Sequence, residues 1–253
     1  MKYNYKNIQK ISEITGHKTK MTAERYNKEI SALFSEWKSS VNTNNTPFIT
    51  DGVVDPEKWF EKYDRILFVL KEAYSKEPNA KDWDLINDHL LTDEPLGKSP
   101  TWRNISLWTK GLLCPAADYE PKDVELENFG NKYLHSIAAI NIKKYNGKNT
   151  SNDSEIAEYA IKEKEYIKKE IELCDPSLII CCGTANALSN VIDFDYEHKN
   201  DQWFYRSTIN GHEVIVIDFY HPANQFPKMM NYFTLCSIYQ RAVNDQVKRV
   251  RNM

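Results

Sequence analysis

Five apolar residues, Ile66-Leu67-Phe68-Val69-Leu70, run without a polar break and stop abruptly at Lys71-Glu72. A short apolar run bounded by polar residues reads as a strand buried on both faces, the usual strand of a parallel sheet. Three later stretches repeat the pattern. They are Ser136 to Ile142, Ser177 to Cys182 and Val214 to Phe219, the last preceded by the turn pair Asn210-Gly211. Helical patterns separate the strands. Thr22 caps a helix whose Tyr26, Ile30, Leu33, Phe34 and Trp37 recur on one side, and Asp55-Pro56 opens another. Thr101 to Leu113, Ser154 to Cys174, Ala185 to Val191 and Met229 to Val247 follow, with a shorter helix expected within Trp83 to Leu91. This alternation predicts an α/β three-layer sandwich, a central and mainly parallel four-stranded sheet with helices on both faces. Residues 1–62 are expected as an N-terminal helical extension packed on a core domain of residues 63–253.

Composition removes several classes. Hydrophobic residues at 41% support a real core. Eight glycines and no phosphate-loop or dinucleotide fingerprint argue against a glycine-rich nucleotide cradle. The five cysteines lack CxxC spacing, so neither a metal centre nor a cofactor is expected, and buried thiols of a reducing compartment are. The start, Met1-Lys2-Tyr3-Asn4, has no signal-peptide core, and no apolar run reaches membrane-spanning length. A cytoplasmic monomer without a membrane partner is the expectation. The net charge of −3 does not advertise nucleic-acid binding, although one basic face would suffice for it.

Ligands of open α/β sheets sit beyond the carboxyl ends of the strands. Three strand ends carry polar clusters there: Lys71-Glu72 with Tyr74, Asn141 with Lys143 and Lys144, and His221-Pro222 with Asn224. Each has an ordinary reading as a strand exit or turn. Together they offer a carboxylate, an amide and an imidazole to one place, which suits cleavage of an N-glycosidic bond. The carboxylate positions water or stabilises a sugar cation, the imidazole stabilises the departing base, and the amide reads a base edge.

These stretches resemble the uracil-DNA glycosylase superfamily over roughly residues 64–245. Ile66-Leu67-Phe68-Val69-Leu70-Lys71-Glu72-Ala73-Tyr74 resembles the first motif, whose loop reads Gly-Gln-Asp-Pro-Tyr-His in one branch and Gly-Glu-Ala-Pro-Gly in another. The resemblance implies Glu72 as the water-activating acid and Tyr74 as a wall of the base pocket. Asn141-Ile142-Lys143-Lys144 is similar to Asn-Val-Val-Lys, which implies Asn141 in base recognition. Pro176-Ser177-Leu178-Ile179-Ile180-Cys181-Cys182-Gly183 is similar to the strand-to-helix turn Pro-Lys-Val-Ile-Val-Ala-Leu-Gly. His221-Pro222 resembles the opening of the last motif. That implies His221 on the base oxygen and a duplex-entering loop of Asn224, Gln225, Phe226 and Pro227, with Phe226 as wedge. Pro100-Thr101-Trp102-Arg103 sits where the family has Pro-Phe-Val-Gly-Arg, so Trp102 either stacks on the base or fills the core. Lys71, Arg103, Lys143 and Lys144 are the candidate phosphate contacts, each also explicable as a solvated face.

Leu70, Lys71 and Ala73 depart from the family's Gly, polar neighbour and Pro, and the stretch from Ser75 to Pro100 is long. The expected activity is therefore a DNA glycosylase acting on a flipped-out uracil or modified pyrimidine, including a hypermodified base of foreign DNA. The alternatives are a non-catalytic module that binds modified bases, and a hydrolase of free nucleosides or nucleotides.

Overall fold

The computed structural model describes residues 17–41, 46–74, 81–91, 99–114, 133–147, 150–194, 196 and 202–251. Residues 1–16 of the expected N-terminal extension, and half of the long stretch from Ser75 to Pro100, lie outside these residues. Helix α1 is Ala23–Ser40, with the Thr22 hydroxyl accepting from the Arg25 N–H. It leads through β1 (Ile49–Thr50) and β2 (Gly52–Val53) to the single-turn α2 (Pro56–Trp59) and then to β3 (Ile66–Glu72). After β4 (Trp83–Asp84) and a π-turn at Ile86–Leu90 come α3 (Pro100–Leu113) and β5 (Ile137–Lys143). The second half is α4 (Asp153–Lys162), α5 (Lys164–Cys174), β6 (Leu178–Cys182), α6 (Ala185–Leu188), β7 (Phe204–Ile209), β8 (His212–Phe219) and α7 (Lys228–Arg251).

The main sheet has six strands in the order β2-β5-β3-β6-β8-β7. The four strands expected from their apolar runs form its parallel centre, β5-β3-β6-β8. The four-stranded expectation falls short by two antiparallel edges. β2 pairs with β5 through Gly52↔Ala139 and Val53↔Ala138, and β7 pairs with β8 around Asn210-Gly211. Neither edge leaves a strand pattern in the sequence: β2 spans two residues, and in β7 Arg206, Ser207 and Thr208 interrupt the apolar positions, so only its burial alternates, as on a half-exposed edge strand. β1 and β4 make a separate parallel pair. β2, which precedes residue 63, thus belongs to the main sheet.

Strand alternation sorts the core into two halves. Leu67, Val69, Ala138 and Ile140 pack with α1, α4, α5 and α6, whereas Ile66, Phe68, Ile137 and Ala139 pack with α3 and α7. The long helix expected over Ser154–Cys174 is broken at Glu163. Glu163 is buried there and accepts from the Trp37 indole N–H and, at 3.4 Å, from the Tyr145 hydroxyl. The region expected as a helix over Trp83–Leu91 opens as strand β4 and becomes helical only in its π-turn. Among the described residues no helix is long and apolar enough to cross a membrane.

Candidate functional site

β3 is the first strand of the parallel centre. The chain adds β5 on one side of it, then returns to add β6 on the other. The strand order therefore reverses between β3 and β6, and the carboxyl ends of these two strands border the crevice where open α/β sheets hold ligands. The turn after β6 is tight. Gly183 has φ 70, and its N–H donates to the Phe219 carbonyl at 2.7 Å. A Cβ on Gly183 would lie 3.4 Å from Lys71 Cε and 3.7 Å from both Lys71 Nζ and the His221 backbone nitrogen. The Lys71 side chain thus lies across the turn beside His221, and the positive φ is what favours glycine there. Thr184 ties the two strands together by donating its hydroxyl to the Val69 carbonyl at 2.8 Å.

His221 follows β8 and is held in one orientation. Its Nδ1 accepts from the Ala223 N–H at 3.2 Å, which leaves the ring hydrogen on Nε2 as a donor. Burial, and then the positive charge of Lys71, hold its pKa below the ordinary histidine value. The segment beyond it is knitted together. Asn224 donates from Nδ2 to the His221 carbonyl at 2.8 Å, and its Oδ1 accepts from the Phe226 N–H and from Asn231 Nδ2, both at 2.9 Å. Asn104 on α3 donates to the Pro222 carbonyl at 2.5 Å. These bonds present Phe226 at 53% exposure, with its ring centroid 5.0 Å from that of the exposed Tyr220. Tyr74, just past β3, is also exposed.

Glu72 reaches the same edge but is engaged. Its carboxylate accepts from Lys143 Nζ at 2.9 Å, and Lys143 also reaches Glu155 at 2.5 Å. Burial works to lower the Lys143 pKa, but the hydrogen bonds to Glu155 and Glu72 outweigh it and hold the ammonium above its ordinary value. Gly147 covers Glu72 so closely that a Cβ there would fall 2.3 Å from the carboxylate carbon. Lys71 is paired in turn with Asp153 at 2.6 Å. The acidic first turn of α4, Asp153 and Glu155, therefore answers both lysines, with Asn152 as its cap. The sequence shows that turn only as a helix start, and nothing local in it announces the two lysine partners.

Three expected site residues lie elsewhere. Lys144 is not available to a phosphate. It is fully buried between Asp51 and Glu170, with its ammonium 5.3 Å from the Trp37 ring centroid and 5.6 Å from that of Phe34. Asn141 is buried and spends its amide on Asp51, with Nδ2 donating at 3.1 Å, so it faces that ion cluster and not a base. Trp102 is buried in the first turn of α3, edge-on to His89 and packed with the core, which favours its core reading over stacking on a base. Arg103 is partly exposed in that same turn. Lys143, being nearly buried and doubly paired, is likewise not an open phosphate contact. Glu72, Lys71 and His221 remain at the switch-point edge, with Gly183, Asp153 and Gly147 added to them. No family model matches the chain, and no curated protein matches it.

Proposed function

We propose that the protein is a DNA glycosylase that hydrolyses the N-glycosidic bond of a flipped-out uracil or modified pyrimidine and leaves an abasic site. The observation that carries this reading is the locked imidazole of His221 at the switch point. A neutral ring with its hydrogen on Nε2 and a lysine ammonium nearby suits a base leaving as an anion. The donor stabilises the developing charge without needing a proton from solvent. The exposed rings of Phe226 and Tyr220 stand beside it, as an enzyme that extrudes a base requires. In this reading Glu72 acts on water or on the sugar cation once the Tyr145–Gly147 segment moves off it, and Lys143 keeps its carboxylate aimed until then.

The Glu72–Lys143 pair also favours a second reading. A carboxylate that stays covered and paired is a structural ion, and the edge then recognises a modified base or nucleic-acid end without cutting. The test incubates the protein and its Glu72→Gln and His221→Gln variants with DNA carrying uracil or modified pyrimidines. Released base is read by mass spectrometry and abasic sites by alkali cleavage. Release that collapses in both variants supports the glycosylase. Salt-sensitive binding with no release from any substrate supports the binding module.

A further inference from the structure

The opposite, amino-terminal edge of the sheet carries a second polar group that the proposed reaction does not use. His17 precedes α1, Asp175 ends α5 in the left-handed region with φ 46, and His212 opens β8. One ligand atom from each lies within 4.8 Å of the others.

The hydrogens on His212 can be placed. Its Nε2 lies 3.1 Å from the Pro176 carbonyl oxygen. A carbonyl only accepts, so Nε2 carries the hydrogen and Nδ1 of the neutral ring is a bare lone pair. That Nδ1 is sealed from solvent and has no hydrogen-bond partner. It faces Asp175 Oδ1 at 3.6 Å. Two electron-rich atoms facing each other in a buried gap are stable only with a proton or a cation between them. The other carboxylate oxygen, Oδ2, lies 3.3 Å from His17 Nε2.

We propose that His17, Asp175 and His212 form a binding site for a first-row transition-metal dication of the zinc type. Each Asp175 oxygen has one imidazole nitrogen near it, His17 Nε2 at 3.3 Å from Oδ2 and His212 Nδ1 at 3.6 Å from Oδ1; each separation is close to the edge of about 3.4 Å that bonds of 2.0–2.1 Å give around a tetrahedral ion, and a single ion would sit between the two oxygens or take one of them after a small turn of the carboxylate. The Nε2–H of His212 on a backbone carbonyl is the outer contact that fixes a metal-ligating imidazole. Asp175 is oriented by Asn210 Nδ2 at 2.8 Å and by Arg65, which donates to the Asp175 carbonyl at 2.5 Å and to Oδ2 at 3.3 Å. The Arg65 charge already neutralises the carboxylate. A hard, oxygen-seeking ion such as Mg²⁺ or Ca²⁺ gains little here, while an ion that prefers imidazole still gains two nitrogen ligands. The two rings are stacked, with centroids 3.6 Å apart and planes at 11°. A metal lies in the plane of each ring that binds it, so one ring must turn. His17, with a side chain 26% exposed and outside any helix or strand, is the one placed to do so. The ion then staples the segment before α1 to the base of the sheet.

The test uses the full, untagged chain stripped with a chelator. Co²⁺ is titrated as the probe and then displaced by Zn²⁺. The expected result is one Co²⁺ per chain with visible ligand-field absorption, loss of that absorption on adding Zn²⁺, and a Zn²⁺-dependent rise in Tm of about 3 °C or more that Mg²⁺ does not reproduce. His17→Gln, which leaves the sheet intact, and His212→Gln each weaken Co²⁺ affinity at least tenfold. Absence of stoichiometric binding, or binding unchanged in both variants, overturns the proposal. The outcome is independent of base release.

Discussion

Glu72 and Lys143 sit opposite each other on adjacent parallel strands, 2.9 Å apart, with their side chains 4% and 7% exposed. Their register places the pair at the carboxyl ends of β3 and β5, with Glu155 of α4 against the lysine. The paired carboxylate is the one the glycosylase reading needs, so the pair separates its structural role from its chemical one. Lys143→Ala leaves a buried carboxylate without its counter-ion, which costs about 3 kcal/mol of stability. Urea denaturation reads that loss. Glu72→Gln keeps the shape and is milder for stability, yet abolishes base release in the glycosylase reading. Equal stability losses in the two variants, with release intact in Glu72→Gln, would show that Glu72 is only structural.

Gly147→Ala attacks the same carboxylate from outside. The added methyl would fall 2.3 Å from the Glu72 carboxylate carbon, so either the loop or the carboxylate must shift. The expected cost is about 1–3 kcal/mol, as for other overpacked sites. Base release, if present, falls together with stability, because a displaced Glu72 also loses Lys143. A variant as stable as the parent would show that the segment yields easily, which is the movement that catalysis by Glu72 requires.

Lys144→Met tests the buried cluster. Asp51 and Glu170, both fully buried, lose their shared cation. Burial is the largest influence on Glu170 and pushes its pKa well up; Lys144 opposes this, and removing it pushes the pKa further up. The expected loss is about 3–5 kcal/mol in denaturant unfolding. The salt dependence of any DNA binding stays unchanged, since Lys144 touches no phosphate. A shallower salt slope in folded Lys144→Met protein would return the residue to the DNA interface.

The parallel centre of the sheet was legible because β3, β5, β6 and β8 are buried on both faces and leave unbroken apolar runs. β2 and β7 were not, since a two-residue strand has no period, and Arg206, Ser207 and Thr208 place three polar residues in a row along β7. At the site, Lys71, Glu72 and His221 were legible as polar residues ending apolar strands. Lys143-Lys144 reads locally as a solvated exit, but the partners that bury Lys144 are 93 and 26 residues away. No local pattern encodes such pairings. The same holds for His17 and Asp175, 158 residues apart.

His221 sets the pH dependence. Its native pKa lies below the ordinary value of 6.5, so the unfolded chain takes up a proton there before the folded chain does. By linkage, the stability of the neutral, buried ring is fully present above that value and is lost as pH falls through the native pKa. His221→Gln removes this contribution, so its stability falls less than the parent's between about pH 7.5 and pH 5. In the glycosylase reading base release stays level down to the ordinary histidine range and drops only in more acidic solution, where protonation of Nδ1 breaks its bond from Ala223. A release rate that rises as pH falls toward 6 would mean that the imidazolium is the active form, and would overturn the assignment of a neutral donor.

Phe226 offers the cleanest separation of binding from folding. Its ring is 53% exposed and touches Tyr220, so Phe226→Ala is expected to change stability by no more than about 0.5 kcal/mol. Stacking of one base on an aromatic ring is worth about 1–3 kcal/mol, so the variant should bind DNA roughly tenfold more weakly. The loss should be larger on duplex than on single-stranded substrate, because only the duplex must be opened to release a base into the site. Fluorescence anisotropy with both substrates checks this. Equal affinity of parent and variant for both would place the DNA away from the His221 edge and remove the main support for a base-extruding enzyme.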